Sequence, residues 1–180
     1  MKALLTLLGI LLGSGAYADC ETKIRSGSEL LLPGDFPEEF NHLLLLVGKR
    51  ESGLNSEVEL GTSGEVGPWQ ILPSTAKPYL QAGELLSDPK TNARIAAQYL
   101  TDLLELTDGD YLQAIAAYNY GPRAIERLRT GRPLPKITAN YLVWVIERAK
   151  EYNCEALLNR FFTGPTEQPV VGPGIQSTPR

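Results

Sequence analysis

The chain has 180 residues, with 17 Lys and Arg, 21 Asp and Glu, one His, two Cys and 43% hydrophobic residues. This composition indicates one globular domain, and the net charge of −4 argues against a dedicated nucleic-acid binder, which needs a basic excess to neutralise phosphates. A Ser-His-Asp triad, a Cys-His pair or a histidine metal site would all depend on His42. We therefore expect any chemistry to use carboxylates, amides and hydroxyls.

The first eighteen residues have the pattern of a cleavable secretory signal. Lys2 precedes an apolar run over 3–12, and the segment ends in Ala-Tyr-Ala at 16–18. The ten positions of the run are too few to span a bilayer. Asp19 before Cys20 does not fit a lipoprotein signal. We expect cleavage after Ala18 and an exported, periplasmic protein without a membrane anchor.

Cys20 and Cys154 form an even pair, which in an exported protein predicts a disulfide. Closing a loop of about 134 residues would stabilise the fold by roughly 3 to 5 kcal/mol in the chain-entropy model. The alternative is two unpaired thiols.

Helical patterns cover most of the remaining chain. Acidic residues follow Pro37, and apolar residues then repeat at helical spacing to predict a helix that ends near Ser52. The further helices predicted in chain order are a short one capped by Ser74, one from Asp88-Pro89 to about Leu106, one from Tyr111 to Tyr120, one that ends near Arg129, and a last long one from Thr138 to about Asn153.

The domain prediction follows from the same patterns. No segment shows sustained period-two alternation, which predicts an all-α fold. We assign residues 19–162 to one domain. Residues 163–180 are predicted to form a flexible tail, because 164–180 holds three Gly and four Pro and little that could be buried.

Glu51 is the first candidate for chemistry. At 100° per residue it falls on the same helix face as Phe40, Leu44 and Val47, whereas His42 falls on the opposite face, toward water. Loss of hydration raises the pKa of a carboxyl group and would make Glu51 a general acid near neutral pH. The alternative is that the helix frays before Glu51 and leaves it solvated.

Three motifs follow in order. They are Glu-Ser-Gly-Leu-Asn at 51–55, Gly-Glu-Val-Gly-Pro-Trp-Gln-Ile-Leu-Pro-Ser-Thr-Ala at 64–76, and Ala-Tyr-Asn-Tyr-Gly at 117–121. With Tyr141 downstream, they resemble the catalytic domain of the soluble lytic transglycosylases over about residues 36–149. The resemblance implies a compact helical domain of the α+β lysozyme-like superfamily with a glycan-binding groove.

Residue roles also follow from the resemblance. It implies that Glu51 is the single catalytic acid and base, cleaving the β-1,4 bond between N-acetylmuramic acid and N-acetylglucosamine with formation of 1,6-anhydromuramic ends. Gln70 and Asn119 would line the groove, Tyr118 would pack at the cleft, and Tyr141 would place its hydroxyl near Glu51. From the residues alone, Asn119 could instead brace the structure and Tyr141 could be a core residue. No metal or organic cofactor is implied.

The chain departs from the family pattern in the second motif. Glu65 stands where the family has Ala, and Pro68-Trp69 replaces Leu-Met. Trp69 could form a flat wall for a sugar ring or fill core space. Glu65 suggests a second hypothesis, a hydrolase resembling goose-type lysozyme in which Glu65 orients water. A third is a non-catalytic peptidoglycan-binding assembly protein.

The expected partner is the peptidoglycan glycan strand, with no nucleic acid. Because it lacks an anchor and an added wall-binding domain, the chain also resembles compact enzymes that open the wall for a secretion, pilus or conjugation apparatus. General wall recycling and a phage origin are the alternatives. Four arginines after the third motif, at 123, 127, 129 and 132, are interpreted as a solvated helix face.

Overall fold

The computed structural model describes residues 19–25, 28–30, 32–57 and 60–163. Over this part of the chain the helices are α1 (residues 19–25), α2 (Glu38–Ser52), α3 (Pro73–Ala76), α4 (Pro89–Leu106), α5 (Tyr111–Tyr120), α6 (Arg123–Arg129), α7 (Lys136–Glu151) and α8 (Glu155–Thr163). The only β pairing there consists of isolated bridges from Val66 to Leu60 and to Ile71. The all-α prediction is confirmed. The predicted signal, 1–18, and residues 164–180 of the predicted tail lie outside the described residues.

Local sequence signals set the ends of the longer helices. Asp88 caps α4 by accepting a hydrogen bond from the Thr91 N–H at 2.8 Å, and Asp110 caps α5 through the Gln113 N–H at 3.0 Å. The predicted cap at Ser74 is wrong. Ser74 lies inside α3, which Pro73 begins after Leu72, and no side chain caps it.

Helix α2 forms the centre of the core. Its residues from Phe40 to Gly48 are all buried, and α4, α7 and α8 pack against it. The prediction that His42 faces water is wrong, since its side chain is fully buried. The sequence did not predict α1 or α8. These helices cover the side of α2 on which His42 lies.

The predicted disulfide is present in the structure. Cys20 in α1 is bonded to Cys154, which lies between α7 and α8, with 5.2 Å between the Cα atoms. The two sulfurs and a ring nitrogen of His42 lie within 4.8 Å of one another. While the sulfurs are bonded to each other they provide no thiolate for a metal ion. Among the described helices, none is long and apolar enough to cross a membrane.

Candidate functional site

The three sequence motifs meet at one open cavity of about 310 Å³. Glu51 from the end of α2, Glu65 and Gln70 from the following loop, and Tyr118 and Asn119 from α5 all line it. Four of the predicted site residues therefore share this cavity, and the fifth, Tyr141, contacts Glu51 from α7.

The end of α2 holds Glu51 in a defined position. Gly53, with a left-handed φ of 73°, ends the helix and donates its N–H to the Lys49 carbonyl at 2.9 Å. The Ser52 hydroxyl donates to the Pro68 carbonyl at 2.7 Å and so ties the helix end to the loop of the second motif. Helix α2 therefore continues through Glu51 and does not fray before it.

The surroundings of Glu51 favour its protonated form. Partial burial raises the pKa of the Glu51 carboxyl above its ordinary value of 4.5, and the negative charge of Glu65 adds to this effect. The Tyr141 hydroxyl, which donates to Glu51 Oε1 at 2.7 Å, and the charge of Arg50 lower the pKa but do not outweigh burial. A raised pKa brings a carboxyl group closer to the range in which it can both donate and accept a proton during catalysis.

Tyr141 combines two of the roles that the sequence left open. Its side chain is only 4% exposed, as expected of a core residue, and its hydroxyl still reaches Glu51. Burial and the neighbouring Glu51 carboxylate raise the pKa of Tyr141 well above 10.0. Its phenol is therefore a permanent hydrogen-bond donor to Glu51.

Asn92 of α4 holds the loop of the second motif in place through hydrogen bonds to its backbone. Its side chain is fully buried, accepts a hydrogen bond from the Trp69 N–H at 2.9 Å, and donates to the carbonyls of Val66 at 2.9 Å and Leu86 at 3.1 Å. Gly67, with φ of 73°, leaves room for this amide, because a Cβ there would lie 2.6 Å from it. Sequence reasoning missed Asn92. The available signal was a polar residue beside the apolar stripe that begins at Ala93.

Trp69 is a core residue and does not form a sugar-binding wall. Its indole is fully buried and donates its Nε1–H to the Leu44 carbonyl at 2.8 Å. Gly48 makes room for the ring on α2, since a Cβ there would lie 2.8 Å from it. The ring therefore anchors the residue before Gln70 to the core.

Gln70 has a left-handed backbone with φ of 46°, which is uncommon for a residue other than Gly. Its side-chain amide donates to the Gly67 carbonyl at 2.8 Å. The side-chain oxygen Oε1 of Gln70 lies close to Gly61. A Cβ added at Gly61 would be only 2.3 Å from this oxygen. These contacts fix the orientation of the amide at the wall of the cavity.

Tyr118 and Asn119 line the cavity from α5. The Tyr118 hydroxyl donates to the Trp69 carbonyl at 2.9 Å, which joins α5 to the loop. Asn119 is half-buried, and its amide makes no hydrogen bond with the part of the chain that the structure describes. The bracing role considered for Asn119 therefore has no partner group within the described chain, and its amide is available to a ligand.

Glu65 is a second carboxylate at the cavity. Its own N–H and that of Ser63, which donates at 2.9 Å, lower the pKa of the Glu65 carboxyl. Glu65 is therefore ionised at neutral pH, whereas burial raises the pKa of the Glu51 carboxyl. Because of this difference, the two carboxyl groups are suited to different tasks.

The arginines after the third motif are exposed or half-buried, and none of them lines the cavity. Arg127 and Arg129 donate to the carbonyls of Pro133 and Leu106, and Arg132 pairs with Glu126. These contacts agree with a solvated helix face.

Comparison with known proteins identifies the fold. The family model described as "Transglycosylase SLT domain" matches residues 37–140. A solved structure of an inactive mutant of the lytic transglycosylase Slt from Pseudomonas aeruginosa superimposes with a TM-score of 0.55 and 23% sequence identity. The match covers 86% of this chain and 25% of that one, so the chain spans about a quarter of the larger protein's length. The family match over more than half of the sequence and the helical fold show that the chain belongs to the transglycosylase SLT domain family.

Proposed function

We propose that the protein is a peptidoglycan lytic transglycosylase that cleaves the β-1,4 bond between N-acetylmuramic acid and N-acetylglucosamine. The observation that carries this proposal is Glu51, a half-buried carboxyl with a raised pKa at the cavity, hydrogen-bonded by Tyr141. A single titrating group of this kind can serve as acid and then as base in one catalytic cycle.

In the first step, Glu51 donates its proton to the glycosidic oxygen, and the bond from this oxygen to C1 of the muramic residue breaks. The N-acetyl group of the muramic residue stabilises the electron-poor C1. The Tyr141 hydroxyl stabilises the Glu51 carboxylate that the step leaves behind, because a hydrogen bond to a charged acceptor is stronger than one to a neutral acceptor.

In the second step, the C6 hydroxyl of the same sugar attacks C1 and gives its proton to Glu51. A 1,6-anhydro ring closes, the acid is restored, and no water is consumed. Gln70 and Asn119 hold the strand through their amides, and Tyr118 lines the same cavity. Tyr118 does not transfer protons at neutral pH, because burial raises its pKa well above 10.0.

A hydrolase resembling goose-type lysozyme is the second candidate, and the position of Glu65 favours it. Inversion by water needs a second carboxylate about 6.5 to 9.5 Å from the acid, with room for water between the two. Glu65 lines the same cavity as Glu51 and is held ionised. Its carboxylate is, however, bonded to the backbone of its own turn, so we expect it to leave the product unchanged.

Product analysis distinguishes these functions. Purified peptidoglycan is digested with the wild-type protein and with Glu65→Ala, and the fragments are analysed by mass spectrometry. We expect 1,6-anhydromuramic ends, each one water lighter than a reducing end, from both proteins. Reducing ends that disappear in Glu65→Ala would establish the hydrolase. Binding of the polymer without any cleavage would establish the third candidate, a peptidoglycan-binding protein.

We also propose that the protein is exported and acts in the periplasm after removal of residues 1–18. The proposed substrate lies outside the cytoplasmic membrane, and a disulfide persists in that oxidising compartment. Sequencing the N-terminus of the secreted protein tests this, and the expected first residue is Asp19. Retention of Met1 in the periplasmic protein would contradict it.

A further inference from the structure

A group of cationic and aromatic side chains adjoins the cavity at Glu51. The Arg50 guanidinium carbon lies 5.7 Å from the ring centre of Tyr141 and 5.4 Å from that of Trp144. Arg148 lies 5.7 Å from the Trp144 ring centre. We call the side chains of Arg50, Trp144 and Arg148 the Arg50 patch. Tyr141 links the patch to the cavity, because its ring contacts Arg50 while its hydroxyl contacts Glu51.

Arg50 carries a positive charge that no acidic group in the described part of the chain neutralises through an ion pair. Arg148, by contrast, is paired with Glu151 and Arg160 with Glu39. Arg50 is exposed to solvent, and the protein as a whole has a net charge of −4. The patch is therefore a local positive site on an acidic protein, beside the group assigned to catalysis.

The position of Arg50 on α2 accounts for only part of this arrangement. It lies in the last turn of the helix, where the helix dipole favours a cation. The dipole does not require the guanidinium to lie against two aromatic rings of α7. These contacts restrict Arg50 near Glu51 and leave its N–H donors for an anion, which is the arrangement that carboxylate recognition needs.

The proposed substrate carries carboxylates close to the bond that is cut. Each muramic residue bears a lactyl ether on O3, and its carboxyl group is either free or linked to a stem peptide that has carboxylates of its own. We propose that the Arg50 patch binds this carboxylate, of the lactyl group or of its stem peptide, on the glycan strand whose sugars occupy the cavity. This inference rests on the proposed function.

The test measures binding by saccharides that differ in their carboxylates. The Glu51→Gln protein is used so that no ligand is cut, and dissociation constants are measured by calorimetry. The ligands are chitohexaose, which has no carboxylate, a GlcNAc-MurNAc hexasaccharide with free lactyl groups, and the same hexasaccharide bearing stem peptides. Arg50→Gln is added to this background, with Arg132→Gln, an exposed arginine paired with Glu126 away from the cavity, as the matched control.

We expect Arg50→Gln to weaken binding of carboxylate-bearing ligands by about fivefold, the effect of about 1 kcal/mol for an exposed charge pair. Chitohexaose binding should change less than twofold, and Arg132→Gln should change neither. The difference should shrink at high salt. Trp144→Leu should have the same selective effect, because it removes the ring that orients Arg50. A loss limited to one carboxylate ligand identifies which carboxylate is bound.

Other outcomes overturn the inference. An equal loss of chitohexaose binding would show that Arg50 only shapes the groove, and unchanged binding of every ligand would show that the patch touches none of them. In both cases the proposed function would stand, because the wild type would still cleave and the Glu51→Gln protein would still bind. Failure of the Glu51→Gln protein to bind any saccharide, with no cleavage by the wild type, would overturn both proposals. Melting temperatures confirm that each variant is folded.

Discussion

Gly48 lies where α2 packs against the indole of Trp69. A methyl group added there would be 2.8 Å from two atoms of the ring and 2.7 Å from Leu54 Cδ2. Relaxed contacts between such atoms are about 3.5 to 4.0 Å. The Leu54 side chain can rotate, but the indole is fully buried and bonded to the Leu44 carbonyl. Gly48→Ala must therefore displace Trp69 or bend α2.

The expected stability change is the difference between two effects. Overpacking of a core costs about 1 to 3 kcal/mol. Replacing Gly by Ala inside a helix stabilises by about 1 kcal/mol. We therefore expect a net loss of about 1 kcal/mol, which lowers the melting temperature by roughly 3 °C in a protein of this size.

The effect on activity should be larger than the effect on stability. Trp69 directly precedes Gln70 and provides the carbonyl that Tyr118 binds. A displacement of about 1 Å at a substrate-positioning group can reduce turnover by about a hundredfold. We expect kcat/KM for peptidoglycan solubilisation to fall by about tenfold to a hundredfold.

Gly83→Ala is the control for this prediction. Gly83 has φ of 84° and nothing within 4 Å of an added Cβ, so its replacement causes backbone strain without overlap. The strain costs about 1 to 2 kcal/mol, and activity should be preserved. Thermal melting and kcat/KM of both variants are compared. Wild-type stability and activity in Gly48→Ala would refute the argument that the absence of a side chain at Gly48 positions Trp69 and the loop of the second motif.

Two further predictions concern the disulfide and the pH dependence. Replacing Cys20 and Cys154 together by Ser should reduce the free energy of unfolding by about 3 to 5 kcal/mol in urea titrations, because the bridge closes a loop of 134 residues. An unchanged unfolding midpoint would contradict this. Tyr141→Phe removes a hydrogen bond that lowers the pKa of Glu51, so the fall of kcat/KM on the alkaline side should move to higher pH. A shift to lower pH would show that Tyr141 does not stabilise the carboxylate.

The sequence predicted the helices that carry their own end signals. Pro37 before acidic residues, Asp88-Pro89 and Asp110 mark the starts of α2, α4 and α5, and the structure begins them within one residue of those marks. These helices also position Glu51, Tyr118 and Asn119. The three motifs therefore identified in the sequence four candidate site residues that line one cavity in the structure.

Short helices that depend on tertiary contacts were missed. Helix α8 has nine residues and α1 seven described ones, too few to be stable alone, and both are held by the disulfide and by packing near α2. These two helices cover one side of α2 and bury His42. Without them, the sequence pattern predicted that His42 faces water. Asn92 and Trp69 were beyond local pattern analysis for a similar reason, since their roles depend on the path of a loop between α2 and α4.

The central claim is that Glu51 moves both protons, and Glu51→Gln tests it because the amide keeps the shape but cannot titrate. Since the folded-state pKa of Glu51 lies above 4.5, its ionisation is less favourable in the folded protein than in the unfolded chain. The stability of the fold therefore falls as pH rises from 4.5 through the folded-state pKa. The substitution should therefore not lower the melting temperature at neutral pH.

The decisive measurement is the initial rate at which anhydromuropeptides are released from purified peptidoglycan by the wild type, Glu51→Gln and Glu65→Gln. We predict a fall of at least about a hundredfold for Glu51→Gln, with chitohexaose binding and melting temperature maintained, and little change for Glu65→Gln. A wild-type rate in Glu51→Gln would contradict the account. A large fall in its melting temperature would instead show that Glu51 is a structural residue.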